Sequence, residues 1–148
     1  MIKKTAFLLL LSALLGLGGM VSAQTLDSIT GLWKTFDDET NQPAALVQII
    51  EKNGVFSGTI TKLLDTSGPS TCEKCTDSRK GKPILGMEIL SGFKRTGESY
   101  SGGQILDPDD GEIYKAEMKL KDQGAKLDLR AYIGIPLLGR TQTWIREK

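Results

Sequence analysis

The chain has 148 residues, 19 basic and 18 acidic side chains, two cysteines and no histidine. A chain of this length buries roughly two thirds of its unfolded surface, enough for one core and not for two. Basic and acidic residues alternate rather than cluster, which argues against nucleic acid or an anionic membrane as the main target. The lack of histidine removes the commonest general base and any Ser-His or Cys-His pair.

The N-terminus follows the export pattern: Lys3 and Lys4, an apolar run from Ala6 to Val21, then the small residues Val21-Ser22-Ala23. The run is nearer signal length than the roughly 20 apolar residues of a membrane span. Residues 1–23 are therefore expected to be a signal peptide, with residues 24–148 forming one domain that is periplasmic or secreted and keeps no transmembrane segment. Loss of Lys3 and Lys4 takes the net charge to about −1.

Beyond that point, short β-favouring runs recur between Gly, Asn, Asp and Pro clusters, and no long stretch has helical period. Eight strands are predicted: Gly31 to Phe36, Ala44 to Glu51, Val55 to Leu63, Leu85 to Lys94, Ser99 to Leu106, Glu112 to Lys121, Lys126 to Ile133 and Gly139 to Arg146. Alternation is cleanest in the sixth and seventh. Tyr114, Ala116, Met118 and Leu120 oppose Lys115, Glu117 and Lys119, and Leu127, Leu129 and Ala131 oppose Asp128 and Arg130. One face of each strand meets water and the other a core. Lys52-Asn53-Gly54, Arg95-Thr96-Gly97 and Lys121-Asp122-Gln123-Gly124 are tight-turn sequences. The fold class is thus all-β, an eight-stranded antiparallel up-and-down meander, and closing it into a barrel is the one arrangement that leaves no open edge.

The connections carry the remaining chemistry. Cys72 and Cys75 are expected to form a disulfide in an oxidising compartment, shaping a small turn in the long loop between strands three and four. The surrounding Gly, Pro, Ser and Lys do not provide the helix start that a redox C-x-x-C uses. Zinc would need two further ligands. Asp37-Asp38-Glu39 and Asp107-Pro108-Asp109-Asp110-Gly111 concentrate carboxylates in two loops, but without EF-hand spacing, and the second is good turn chemistry. No metal, cofactor or catalytic residue is assigned. Gly134 to Thr141 mimics a phosphate loop with Arg140 for lysine, but it lies between two strands with no following helix.

Gly31-Leu32-Trp33 opens the first strand and Thr143-Trp144-Ile145-Arg146 closes the last. This resembles the calycin barrels, meaning lipocalins, fatty-acid-binding proteins and avidins. The resemblance implies that Gly31, Trp33 and Arg146 form a barrel floor, with Arg146 stacked on the Trp33 ring. Parity agrees, because Arg140, Gln142, Trp144 and Arg146 share one strand face. The longer string is similar to domain of unknown function 2147, a family of secreted bacterial proteins. It comprises Cys72-x-x-Cys75, Gly86-Met87-Glu88-Ile89-Leu90, Ser101 to Pro108, Gly111-x-x-Tyr114 and Gly139 to Trp144. That resemblance implies a lipocalin-like barrel and supplies no activity.

With the first strand starting at the floor, the four irregular connections all fall at the other end. An eight-stranded barrel is just wide enough to be filled by side chains or to hold one small ligand. Phe56, Tyr114, Met118 and Leu129 are the candidate lining residues. Ile135, Leu137 and Leu138 form an apolar tip that either plugs the mouth or makes a contact surface. The expected function is non-enzymatic binding of a small hydrophobic or amphiphilic ligand in the barrel. The alternative is an interaction module with a filled barrel whose loop rim binds an envelope or host protein of unknown identity.

Overall fold

A computed structural model describes residues 26–148. The expected signal peptide, residues 1–23, lies outside them. Eight strands follow in order: β1 (Gly31–Phe36), β2 (Pro43–Lys52), β3 (Val55–Leu63), β4 (Glu88–Thr96), β5 (Ser99–Leu106), β6 (Ile113–Lys121), β7 (Lys126–Tyr132) and β8 (Arg140–Arg146). Each pairs with its sequence neighbours in antiparallel fashion, and β8 returns to β1, closing the barrel.

β4 starts three residues later than the alternation suggests. Gly86, at φ 85°, breaks the extended run, and the Gly86 and Met87 backbones are spent on Ile60 instead. Leu85 consequently stays in the loop and is exposed.

Alternation fills the interior. Trp33, Val47, Leu90, Phe93, Tyr100, Met118, Leu127, Leu129 and Trp144 are all 2% exposed or less. Each such side chain contributes roughly 1.5–3 kcal/mol through burial.

The closing seam is short. Only Trp33 with Arg146 and Lys34 with Ile145 are in register between β1 and β8, against eight pairs between β2 and β3. The floor reinforces it. The Arg146 guanidinium stacks 4.2 Å from the Trp33 ring centroid and donates to the carbonyls of Gly124, Thr30 and Ser28 at 2.7, 2.7 and 2.6 Å. Residues 26–30 thereby form a strap under the barrel, with Ile29 fully buried and its carbonyl accepting from Trp33 Nε1 at 2.8 Å. Gly31 is required for this packing. Its φ is 132°, and a methyl there would sit 2.6 Å from Arg146 Nη1.

Candidate functional site

The end opposite the floor holds the polar side chains that the fold brings together from distant parts of the sequence. Strand alternation points Tyr114 at the start of β6, and Arg140 and Gln142 at the start of β8, to the same inner face as the buried Met118 and Trp144. Two loops meet them, 37–42 between β1 and β2 and 107–112 between β5 and β6.

Trp144 Nε1 donates to Gln142 Oε1 at 2.9 Å, and Gln142 Nε2 donates to Asp38 Oδ1 at 2.6 Å. Arg140 bridges the two loops, with Nη1 3.2 Å from Asp38 Oδ2 and Nη2 3.2 Å from Asp107 Oδ2. Its guanidinium also lies 5.7 Å from the Tyr114 ring centroid. The Tyr114 hydroxyl donates to Asp110 Oδ2 at 2.6 Å. The network thus runs from the top of the apolar core out to solvent.

Local turn chemistry fixes the carboxylates. Asp107 Oδ1 accepts from the Asp109 N–H at 3.0 Å, and Asp110 Oδ1 accepts from the Glu112 N–H at 2.8 Å. Burial pushes the Asp107 carboxyl above its ordinary value, more than the neighbouring Arg140 charge lowers it. The Tyr114 phenol is pushed up to about 12, chiefly by its hydrogen bond to Asp110, so it stays a donor at any physiological pH. The Arg140 side chain is 54% exposed, and ion pairs at that exposure contribute at most about 1 kcal/mol each. Its partners Asp38 and Asp107 are less exposed, at 34% and 27%, so Arg140 is the member of each pair most open to solvent.

The long loop of residues 64–87 buttresses this end. Cys72 and Cys75 form a disulfide and are buried, with Cys72 Sγ 3.7 Å from the Pro108 carbonyl oxygen. Gly111, at φ 75°, allows the contact, because a methyl there would run into the Lys74 carbonyl.

The four candidate lining residues are spread along the barrel axis. Tyr114 lies at the mouth. Met118 and Leu129 are paired in register in the packed middle. Phe56 lies near the floor, edge-on to Tyr100 with ring centroids 4.9 Å apart. Phe56 does line a cleft of about 580 Å³, but that cleft opens at the floor beside Ser28, Asn53, Lys94 and Arg95.

The apolar tip is not a plug. Arg130, on the outer face of β7, donates through Nε to the Pro136 carbonyl at 2.7 Å and through Nη2 to the Leu137 carbonyl at 3.2 Å, which holds the tip outside the mouth. Ile135, Leu137 and Leu138 are 54%, 81% and 77% exposed.

Asp38, Asp107, Asp110, Arg140 and Gln142 were not among the candidate site residues. The signal was present in two halves. Parity places Arg140 and Gln142 on the Trp144 face, and loop order places both acidic loops at the same end.

A closed eight-stranded meander with a tryptophan and arginine floor defines a lipocalin-like barrel. The chain belongs to the family described as "Uncharacterized protein conserved in bacteria (DUF2147)", which it matches over residues 31–146. It is similar in fold to a solved structure described as "Protein HP1028 from the human pathogen Helicobacter pylori belongs to the lipocalin family". The TM-score is 0.72 at 21% sequence identity, covering 83% of this chain and 85% of that one. No curated protein matches the chain. No helix among the described residues is long and apolar enough to cross a membrane, and no group of three or more His, Cys, Asp or Glu residues among them could hold a metal ion.

Proposed function

We propose that this is an exported, non-enzymatic binding protein that takes a small amphiphilic ligand at the barrel mouth. The observation that carries this reading is the inward-facing polar network of Tyr114, Arg140, Gln142, Asp38 and Asp107, set directly above an apolar interior. Such a junction suits a molecule with a polar head and a short apolar part. Buried side chains such as Met118, Leu127 and Leu129 occupy the middle of the barrel, which favours an apolar part that is small or lies across the rim. Binding rather than catalysis fits the carboxylates, because Asp38, Asp107 and Asp110 each already accept two hydrogen bonds or ion pairs. The similarity to a lipocalin-family structure supports the same reading at the level of fold.

The test is native mass spectrometry and solvent extraction of protein purified gently from the cells that make it. One small molecule is expected in stoichiometric amount, and Arg140→Ala and Tyr114→Phe should each lower its occupancy about tenfold, the effect of losing a charged or short hydrogen bond. Protein that arrives empty and binds nothing across lipids and polar metabolites would overturn the proposal.

A further inference from the structure

Independently of the mouth, the outward-held tip is built like an anchor. Three aliphatic side chains, Ile135, Leu137 and Leu138, stand mostly in water on a 3-10 turn begun by Pro136. Arg130 makes three hydrogen bonds that fix the turn, two to tip carbonyls and one from Nη1 to Thr141 Oγ1 at 3.0 Å. A charged side chain thus holds apolar groups away from the core, where burying them would have been favourable. Preorganised apolar projections of this kind lower the ordering cost of association.

The surroundings select the occupant. Arg140, two residues after Leu138, ties the root of the tip to both acidic loops. Those loops carry seven carboxylates: Asp37, Asp38 and Glu39, then Asp107, Asp109, Asp110 and Glu112. Of these, Glu39, Asp109 and Glu112 are exposed and their side chains enter no ion pair among the described residues.

A bilayer fits poorly. The three side chains offer about a dozen carbons, no more than one myristoyl chain, which alone binds membranes only marginally and needs a basic patch as second signal. Here the flank is net acidic, with seven carboxylates against Arg130 at the tip, Arg140 at its root and Lys74 beside Gly111. A symmetric dimer through the tip would set the acidic loops of one copy against those of the other. We infer that the Ile135–Leu138 tip with its acidic flank docks on a second protein whose surface offers an apolar pocket ringed by lysine or arginine. The apolar contact would supply affinity, and the charges orientation and rate.

The test places a photo-crosslinking amino acid at Leu137 of the full chain, expressed in its native cells, with Lys52 on the floor as control site. The expected result is a protein adduct at 137 but not at 52, whose crosslinked peptide carries lysine or arginine beside apolar residues. Its yield should fall about fivefold or more when Glu39→Gln, Asp109→Asn and Glu112→Gln are combined, as expected for complementary rim charges. A lipid adduct, a self-adduct, a partner peptide without basic residues, a yield indifferent to the three neutral substitutions, or no adduct would each overturn the inference.

Discussion

Three backbone carbonyls, those of Ser28, Thr30 and Gly124, have the Arg146 guanidinium as their donor, and the same group covers the Trp33 ring. Hydrogen bonds to a charged group contribute about 1.5–3 kcal/mol each when buried, and partial exposure of Arg146 discounts that total because water can replace some of them. Arg146→Ala is expected to cost about 3 kcal/mol in urea denaturation. Arg146→Lys should recover less than half, since an ammonium lacks the planar fork. A loss below about 1 kcal/mol for the alanine variant would show that water serves these carbonyls as well as the arginine does. At the mouth, Asp107 has the opposite character. Its carboxyl is raised by burial, so the folded state binds a proton more readily than the unfolded one. The stability it contributes is therefore full below the ordinary carboxylate range and is lost as pH rises through the raised folded value. Asp107→Asn should be more stable than the parent at pH 7, with the difference closing toward pH 3 in thermal melts. A variant less stable at pH 7 would mean that the Arg140 pair outweighs burial.

Among the elements, the disulfide turn and the apolar tip act on the mouth in different ways. The Cys72–Cys75 ring spans a sequence separation of three, so its loop-closure effect on global stability is at most about 2 kcal/mol. Its local effect is larger, because the turn it shapes packs on Pro108 and Gly111. Replacing both cysteines by serine should lower stability by no more than about 2 kcal/mol and speed amide exchange in residues 107–112, while exchange at the Trp33 floor is unchanged. Equal loosening at both ends would refute a local role. The strands were legible because period-2 alternation in β6 and β7 is a direct record of which face is buried. The Gly31, Trp33 and Arg146 floor could be anticipated from motif and parity together. The start of β4 could not, because Leu85 continues the apolar pattern while Gly86 breaks the backbone. Nor could the direction of the tip, which depends on Arg130 reaching two carbonyls six and seven residues away. The mouth network joins residues as far apart as Asp38 and Gln142, a pairing that only the closed barrel creates.

At the scale of the whole molecule, the barrel is unevenly stitched. Two in-register pairs join β1 to β8, supplemented by the Glu147 N–H to the Leu32 carbonyl at 2.8 Å and the Lys34–Glu147 ion pair. Local opening follows the least supported ladder. Amides of β1 facing β8 should exchange at least about tenfold faster than those between β2 and β3, a difference of 1.4 kcal/mol in opening free energy. Uniform protection around the barrel would mean that the Arg146 floor makes up for the missing ladder.

That floor also sets an order of events during synthesis. Arg146 clasps residues lying 116 and 118 positions earlier, so the strap at 26–30, which Trp33, Tyr100 and Gln123 also hold, gains this clasp only once β8 is in place. A growing chain can pair its early hairpins, but it cannot shut. Closure is the final, longest-range step and is expected to be slow, as folding dominated by distant contacts is.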